Sequence, residues 1–385
     1  MAQLADDRSV AQRILDHIDN RTTDLGDETW REPVEHYLSS QRFAAEIEQV
    51  LRRVPTPFCP SAALPDAGSY LARDAALTPI LAVRGSDGRV RAFRNSCRHR
   101  GTMLAEGAGC EKAFVCRYHG WTYGLDGGLR HVPHEHGFPG LDKSTRGLVP
   151  VETVERNGFV FVTQRPSPSS SADLQVIPEL FTARHRFLGC NESEVVTNWK
   201  IVAEGFLEGY HIRSTHRETF YPIQFDNLNV VESFGMNSRI AFPYRRINKL
   251  RALPTEQRSV DGMLTYVYHL FPNVMVATFP YSILMVVLEP LAVDRTRIIT
   301  YALTDHDGRV SDDGDEAMKR SQDFVLAGTI EDRDVTRSAQ KGLASGANQF
   351  FEFGRFEGAI VHFHRGLRSL IDDAPAAGRA RECGE

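Results

Sequence analysis

The chain has 385 residues, of which 42% are hydrophobic and 25% charged, a composition typical of a globular protein long enough for two domains. A net charge of −5 without a basic run excludes the electrostatic footprint of a nucleic-acid-binding protein. The N-terminus is charged where a signal peptide needs an apolar core, and the longest apolar run, residues 282–288, is about a third of a membrane span. We therefore expect a cytoplasmic protein without nucleic-acid or membrane partners, in which residues 282–288 form a buried strand.

The first half of the chain changes from a helical to a β-type pattern. Apolar spacing predicts amphipathic helices over residues 13–20 and 41–53. From residue 70 onwards, short apolar runs alternate with glycine-containing turns, and residues 79–93 predict a β-hairpin. A β-rich domain therefore begins before residue 97, and residues 159–162 are predicted to be its last strand.

A low-complexity stretch of proline and serine, residues 165–172, predicts a linker. It divides the chain into an N-terminal helical segment at 1–55, a β-rich domain at 56–165 and a second domain at 166–385. In the second domain, a helix over residues 199–211 is followed by three strands and two long helices. These predicted strands and helices cover residues 274–278, 283–288, 298–303, 317–343 and 356–371. Strands in series favour an antiparallel sheet with helices on one side, so the fold class is α+β.

Two cysteines and two histidines occur in paired short spacings, Cys97-x-His99 and Cys116-x-x-His119. Zinc-finger sites usually have two cysteines in one short spacing and two histidines in another, whereas each short spacing here contains one cysteine and one histidine. Such mixed pairs suit a two-iron cluster in which one iron binds both thiolates and the other iron binds both imidazoles. Tetrahedral zinc, or two buried cysteines with unrelated histidines, are the alternatives. The remaining cysteines show no disulfide spacing, which fits a reducing compartment.

Glu208, His211 and His216 form a second cluster of chemically reactive side chains. On a helix, Glu208 and His211 would share a face, so the carboxylate could orient the imidazole. His216 requires the helix to end between the two histidines. Two histidines of one segment and a carboxylate from elsewhere would form the three-ligand site that leaves positions open on a non-haem Fe(II). Without further context, two histidines in twenty residues are more often surface or core histidines than metal ligands.

The residues around both cysteines, NSCRHRG at 95–101 and CRYHGW at 116–121, resemble the Rieske iron–sulfur motif of ring-hydroxylating oxygenases. With the second cluster at its separation, residues 65–370 resemble the α subunit, or terminal oxygenase component, of a Rieske non-haem iron oxygenase. The resemblance implies a β-rich Rieske [2Fe-2S] domain beside a helix-grip catalytic domain with an antiparallel sheet. Its cofactors are a [2Fe-2S] cluster and a mononuclear Fe(II).

The resemblance also implies which residues bind the metals. The implied ligands are Cys97 and Cys116 on one cluster iron, His99 and His119 on the other, and His211, His216 and Asp332 on the mononuclear iron. Asp332 follows from the family's Glu-Asp pair ahead of a helix that ends in Gln-x-Gly, here residues 330–342. Asp334 is the alternative, Glu331 points to a different face if the segment is helical, and a solvated charged helix is the interpretation without the family.

Glu208 takes the position of an acid that, in the family, bridges two subunits. It would join His119 of one subunit to His211 of its neighbour within a homotrimer. Many relatives have Asp at this position, and Glu is more similar to the branch that acts on quaternary ammonium compounds such as carnitine. Gly205 replaces the polar residue that usually follows Glu204.

The implied function is a terminal oxygenase that uses O2 to hydroxylate or oxidatively demethylate a small aromatic or quaternary ammonium substrate. Electrons would come from an NAD(P)H-dependent reductase, with or without a ferredoxin. This chain has no G-x-G-x-x-G after a strand, so the nicotinamide site belongs to that partner. The alternatives are a Rieske ferredoxin-like electron carrier with a degenerate catalytic domain and a zinc-stabilised binding module.

Apolar residues near the predicted iron site are candidates either for a substrate pocket or for the core. They are Phe206, Leu207, Phe279 and Phe324. His362 and His364, two apart on a predicted helix, point in different directions and are expected to be structural. His131, His134 and His136 are expected on a surface loop.

Overall fold

The computed structural model describes residues 4–165, 176–182, 184–280, 282–304 and 312–372, and for residues 312–322 the backbone only. Apart from Arg165, the predicted linker lies outside the described residues. Within the described part, no helix has the length and apolar character needed to cross a membrane.

Nineteen strands of the described residues are arranged in four antiparallel sheets. In chain order they are β1 (Trp30–Pro33), β2 (Thr56–Pro60), β3 (Ser69–Ala75), β4 (Thr78–Arg84), β5 (Val90–Arg94), β6 (Gly107–Cys110), β7 (Phe114–Val115), β8 (Thr122–Tyr123), β9 (Leu129–His131), β10 (Pro150–Arg156), β11 (Phe159–Thr163), β12 (Arg186–Val195), β13 (Val230–Phe234), β14 (Asn237–Pro243), β15 (Leu264–Leu270), β16 (Val274–Phe279), β17 (Ser282–Ala292), β18 (Arg295–Thr304) and β19 (Phe350–Phe353).

Helices precede, interrupt and follow the second large sheet. The α-helices are α1 (Asp7–Asn20), α2 (Glu35–Leu38), α3 (Ser40–Ala45), α4 (Trp199–Gly205), α5 (Ile212–Thr215), α6 (Asp312–Leu343) and α7 (Gly358–Ile371). Helix α3 continues as a π-helix, Glu46–Leu51, so the predicted helix over 41–53 is present with a wider last turn. Helix α1 packs near β13, where the backbone N–H of Ala5 donates to Glu232 at 2.7 Å.

The first large sheet has the strand order β2-β11-β10-β5-β4-β3-β6, and the predicted hairpin is its β4–β5 pair. Side chains of a strand alternate between its two faces, and both faces of β4 are buried. Ile80 and Ala82 pack into the core shared with the second large sheet. Leu81 and Val83 pack into a separate core that contains Cys97. This alternation fixes the cysteine loops to one face of the sheet.

The second large sheet has the order β12-β18-β17-β16-β15-β14-β13, so β13 to β18 form a meander and β12 returns beside β18. One face packs on the first sheet through Val274 and Val276, and the other packs on helices through Met275 and Ala277. Trp199 of α4 and residues of α7 cover this second face. The predicted α+β class with an antiparallel sheet and helices on one side is confirmed.

The helix predicted over residues 199–211 is wrong beyond Gly205, where α4 ends. A Cβ on Gly209 would lie 2.5 Å from Oδ1 of Asn229, so the backbone approaches that side chain closely there. This contact is remote in sequence, and it replaces a regular helix by turns. A short helix, α5, then lies between His211 and His216, whereas the sequence predicted a helix end there.

Candidate metal centres and substrate cavity

Two loops with the same backbone hydrogen bonds carry the cysteine–histidine pairs. In the loop of residues 97–102, the cysteine N–H donates to the carbonyl of Thr102 and Gly101 N–H donates to the cysteine carbonyl, both at 2.9 Å. In the loop of residues 116–121, the corresponding distances are 2.8 and 2.9 Å. Gly101 and Gly120 have φ of 81° and 74°, a region that favours glycine. The chain therefore builds one tight turn twice.

These loops bring the predicted cluster ligands to one end of the first domain. Cys97 and Cys116 are buried in the same apolar core, and the ring centroids of His99 and His119 lie 4.7 Å apart. His99 Nδ1 is buried without a hydrogen-bonding partner among the described residues. Burial, together with the neighbouring His119 and Arg100, lowers the pKa of His99, which keeps this imidazole neutral. Two thiols and an orphaned neutral imidazole nitrogen fit a Rieske cluster.

Two residues that the sequence analysis did not single out stabilise the loops. The Tyr123 hydroxyl lies 3.4 Å from Cys97 Sγ and accepts from the Arg98 backbone N–H at 2.9 Å. Burial raises the pKa of Tyr123, so its hydroxyl stays protonated and can donate to the sulfur. The Trp121 indole stacks on the His99 ring at 4.9 Å and 8°. The second contact restricts the orientation of the imidazole.

His211, His216 and Asp332 converge at a second site. Their potential ligand atoms all lie within 4.8 Å of one another. Asp332 Oδ1 is 3.0 Å from Nε2 of His216 and 3.6 Å from Nε2 of His211. The histidines flank α5, at its N-cap and C-cap positions, and Asp332 belongs to α6. This donor set fits a metal that takes two imidazoles and one carboxylate.

Each histidine of this site is held from behind by a carboxylate. Glu208 contacts Nδ1 of His211, and its Oε2 accepts from the His211 backbone N–H at 3.1 Å. Glu331 Oε2 accepts from Nδ1 of His216 at 2.8 Å and from the Thr219 hydroxyl at 2.6 Å. A proton on Nδ1 leaves Nε2 free as a ligand, so both acids select the tautomer that a metal requires.

Burial disfavours a charged His211, but the Glu208 carboxylate outweighs burial and raises the pKa of His211. Asp334, the alternative third ligand, is exposed and pairs with Arg337 at 2.9 Å. Glu331 was expected to point to a different face from Asp332 in a helical segment, and it contacts the opposite ring nitrogen of His216. A charged segment of this kind gives no sequence signal that separates such a contact from solvation.

A cavity of about 190 Å³ adjoins the three potential ligands. Valine, leucine and isoleucine side chains of the second sheet and several aromatic rings form most of its wall. The rings belong to Phe206, Phe220, Phe242, Phe279 and Phe324. Of the four residues predicted to belong either to a pocket or to the core, Leu207 belongs to the core and does not line the cavity. A largely apolar cavity beside three convergent metal-binding side chains is the arrangement of a binding site for a small organic molecule next to a metal.

His364 is buried and its Nε2 lies 2.8 Å from Glu204, as expected of a structural histidine. His362 hydrogen-bonds the backbone carbonyl of Gly235. The loop histidines are exposed, also as expected; they are His131, His134 and His136.

The two sites together define a class: a two-domain iron oxygenase with an electron-transfer centre and a separate reaction centre. Residues 54–151 match the Rieske [2Fe-2S] domain, and residues 183–373 match the ring hydroxylating alpha subunit (catalytic domain). The chain belongs to the Rieske non-haem iron oxygenases, as an α subunit. Its cofactors are a [2Fe-2S] cluster and a mononuclear iron, and it is an oxidoreductase that uses O2. The two matches and the convergence of the second-site residues favour the oxygenase over the zinc-module and electron-carrier alternatives.

Several relatives extend along most of the chain. The carnitine monooxygenase oxygenase subunit of Escherichia coli K12 is 27% identical over 375 residues, which cover 90% of this chain and 95% of the relative. The chloroplastic choline monooxygenase of Beta vulgaris is 25% identical over 321 residues, covering 76% and 66%. The carnitine monooxygenase oxygenase subunit of Acinetobacter pittii is 32% identical over 216 residues, covering 52% and 56%.

Solved structures share the fold at low sequence identity. The quaternary ammonium Rieske monooxygenase CntA in complex with L-carnitine has a TM-score of 0.72 at 20% identity, with coverage of 96% of this chain and 100% of that chain. The naphthalene 1,2-dioxygenase of Rhodococcus sp. bound to indole has a TM-score of 0.73 at 17% identity, with coverage of 96% and 99%. Both confirm the two-domain fold.

Proposed function

We propose that this chain is the terminal oxygenase of a multi-component system, and that it hydroxylates or oxidatively demethylates a substrate about the size of one aromatic ring. The observation that carries the proposal is the convergence of His211, His216 and Asp332 at the wall of a 190 Å³ apolar cavity. A cavity of about 150 Å³ accommodates benzene in another protein. When bound there, the mononuclear iron supplies the activation of O2.

The chain's own residues prepare this site. Glu208 and Glu331 hold protons at Nδ1 of His211 and His216, so that each imidazole presents a neutral Nε2. The apolar wall excludes water, which favours reaction of the bound substrate over loss of the reactive oxygen to solvent. We assign ligand roles to His211, His216 and Asp332 and a positioning role to Glu208.

Two kinds of substrate fit the aromatic wall. Phenyl faces can stack on an aromatic ring, and they can also surround a quaternary ammonium group through cation–π attraction. The ring centroid of Phe220 lies 4.5 Å from that of His216, so one such face lies next to the proposed ligands. The relatives that act on carnitine and choline favour the ammonium class, and the naphthalene dioxygenase fold shows that the same architecture accommodates aromatic compounds.

We propose Cys97, Cys116, His99 and His119 as the cluster ligands, with His119 as the point of electron exit. His119 is exposed, and so are the neighbouring Tyr118 and Val115, at 52% and 58%. Tyr210, next to the Glu208–His211 pair, is also exposed at 58%. A homotrimer that covers both apolar patches would bring His119 of the partner subunit to Glu208, consistent with inter-subunit electron transfer in a solved relative.

Electrons would enter at a basic surface around the first cysteine loop. Arg94, Arg98, Arg100 and Arg146 surround a depression that contains Cys97 and His99. On a chain with a net charge of −5, this local positive potential would attract an acidic protein. We propose an NAD(P)H-dependent reductase, with or without a ferredoxin, as that partner.

We further propose the domain bounds 1–55, 56–165 and 166–385. Ala5, just ahead of α1, accepts from Arg239 Nη2 of β14 and donates to Glu232 of β13, both at 2.7 Å, which supports assigning the N-terminal segment to the catalytic part. The scattered cysteines, which have no disulfide spacing, support our proposal of a cytoplasmic location.

The function is tested with anaerobically purified protein. We expect about three irons and about two labile sulfides per chain. With a reductase, oxygen uptake should be coupled to one product from a panel that includes L-carnitine, choline, benzoate and benzamide. Protein that contains zinc without sulfide, or that reduces O2 at the same rate with and without every substrate of the panel, contradicts the proposal.

A further inference from the structure

One charged side chain in the cavity has no role in the proposed iron site. Helix α6 presents a stripe of residues to the cavity at intervals of three and four, and Arg333 is part of it. The others in this stripe are Val325, Thr329, Asp332 and Thr336. Arg333 follows the proposed ligand Asp332 directly in the helix, and both side chains line the same cavity.

The hydrogen-bonding capacity of Arg333 is largely unused. Nη2 donates to the Ser193 hydroxyl at 2.6 Å, whereas Nε is buried without a partner in the described part of the chain. No carboxylate of the described residues forms an ion pair with Arg333. By contrast, Arg337, one turn later, is exposed and pairs with Asp334. Arg333 is half-buried, and a guanidinium has five N–H donors, of which only one has a partner in the described part of the chain.

The wall around Arg333 offers no compensating charge from the protein. The acids that line the cavity are Glu208 and Asp332, and both contact the imidazole of His211. The Ser193 contact fixes Nη2, and Nη1 is the guanidinium nitrogen that is not enclosed and has no hydrogen-bonding partner among the described residues. A planar fork of donors in an apolar environment matches a carboxylate, which accepts two parallel hydrogen bonds.

We propose that Arg333 binds the carboxylate of the substrate, so that the substrates of this oxygenase are small carboxylates or zwitterions with an aromatic or trimethylammonium body. This inference rests on the proposed function, because it assumes that the cavity is the substrate site. A purely cationic compound of the same size would meet an unpaired guanidinium without an acid to balance it. The cavity is thus predicted to discriminate against cations as well as against neutral molecules.

The test compares matched ligands that differ in the carboxylate. Binding of benzoate and benzamide, and of L-carnitine and choline, is measured by calorimetry on the anaerobically reduced, metal-loaded protein. We expect at least one carboxylate to bind the wild type more tightly than its matched counterpart. Arg333→Gln should weaken that carboxylate by about 10- to 100-fold, because a hydrogen bond to a charged group is lost in a dry site, and should change the counterpart by less than about twofold.

Arg337→Gln is the matched control, because it removes an exposed arginine from the same helix, and it should leave all four affinities unchanged. Iron and sulfide contents of each variant show that the sites are intact. If Arg333→Gln loses iron, Arg333→Lys is used instead, because it keeps the positive charge but lacks the planar pair of guanidinium donors. We expect this variant to bind the carboxylate with an affinity between those of the wild type and Arg333→Gln. Equal weakening of both members of a pair, unchanged carboxylate affinity, or no binding of either carboxylate to the wild type at millimolar concentration would overturn the inference.

Because binding is measured without turnover, this outcome is separate from that of the proposed function. Carboxylates that bind in an Arg333-dependent manner without coupled oxygen uptake would contradict the oxygenase proposal and leave the carboxylate site intact. Coupled turnover of choline and benzamide at rates equal to those of the carboxylates would support the oxygenase proposal and contradict the carboxylate site.

Discussion

Glu331 accepts a hydrogen bond from Nδ1 of His216 at 2.8 Å, while the next residue of the helix, Asp332, lies 3.0 Å from Nε2 of the same ring. One imidazole is therefore contacted on both nitrogens by consecutive side chains. The first contact sets which nitrogen carries the proton, and the second places a carboxylate where a metal would bind. His216 is 1% exposed, so water cannot replace either contact.

We predict that Glu331→Ala lowers iron affinity at the mononuclear site by about 10- to 100-fold, because His216 loses the acceptor that fixes its tautomer. Iron is titrated into protein whose cluster is intact, and the dissociation constant is measured. Asp334→Ala is the control, since it removes an exposed carboxylate from the same helix. An unchanged iron affinity in Glu331→Ala would show that the Glu331 contact is not needed for metal binding.

Glu208→Gln should retain the cluster and the mononuclear iron while turnover falls by about 10-fold or more. The amide can still accept from Nδ1 of His211, but it lacks the negative charge that raises the pKa of that imidazole. Iron content, the reduced-cluster spectrum and the rate of coupled oxygen uptake are compared with those of the wild type. The positioning role fails if turnover is unchanged with both metals present.

The sequence predicts the parts of the molecule that depend on local patterns. The hairpin at residues 79–93 follows from alternation and a glycine turn. The cluster ligands are predictable because each pair lies on one tight turn, whose spacing is visible in the chain. Asp332 required the family resemblance, since a run of acids and arginines is equally typical of a solvated helix.

The missed features depend on tertiary packing. Helix α4 ends at Gly205 and is followed by turns, where Gly209 packs closely against Asn229, a residue twenty positions away in sequence. Glu331 and Arg333 acquire roles only because α6 lies with this face against the cavity, and no local signal distinguishes them from Asp334 and Arg337. Tyr123 contacts Cys97 across two loops, a pairing that spacing alone does not indicate.

The buried pair of Lys200 and Glu46 gives a stability prediction. Their side chains are 1% and 0% exposed, with Nζ 2.7 Å from Oε1, and Trp199 Nε1 donates to the other carboxylate oxygen at 2.9 Å. Lys200→Met should lower the free energy of unfolding by about 3 kcal/mol, because the buried Glu46 carboxylate loses its nearer cation and keeps only Arg42, whose Nε lies 3.7 Å from Oε1. The measurement is denaturant unfolding.

The double variant Glu46→Gln/Lys200→Met removes both charges and keeps an acceptor for Trp199. It should recover most of the lost stability. A double variant as unstable as Lys200→Met would mean that packing of the Lys200 side chain, rather than its charge, is responsible.

His269 makes stability depend on pH. Burial lowers the pKa of His269 to about 4, from an ordinary value of 6.5, even though Nε2 lies 3.0 Å from the Pro272 carbonyl. Between these values the unfolded chain binds a proton that the folded chain does not, so stability is full above pH 6.5 and is lost as pH falls toward 4.

The corresponding variant is His269→Gln, which can still donate to the Pro272 carbonyl but does not titrate. Between pH 8 and pH 5 the wild type should lose about 2 kcal/mol more of its unfolding free energy than the variant. Unfolding curves across this range provide the comparison. Parallel pH profiles for the two proteins would show that His269 does not contribute.

Glu331, Asp332 and Arg333 are three consecutive residues of a 32-residue helix, so their directions are fixed relative to one another by helical geometry. One inserted residue ahead of them would rotate all three by about 100°, so that the acid behind His216, the proposed metal ligand and the cavity guanidinium would be displaced together. Length changes in this helix are thus tolerated only in steps of about seven residues, or two turns. The cysteine loops are not part of a helix, so an inserted residue elsewhere in their domain does not rotate their side chains in this way. We therefore expect the Rieske domain to tolerate changes in length more freely than this helix does.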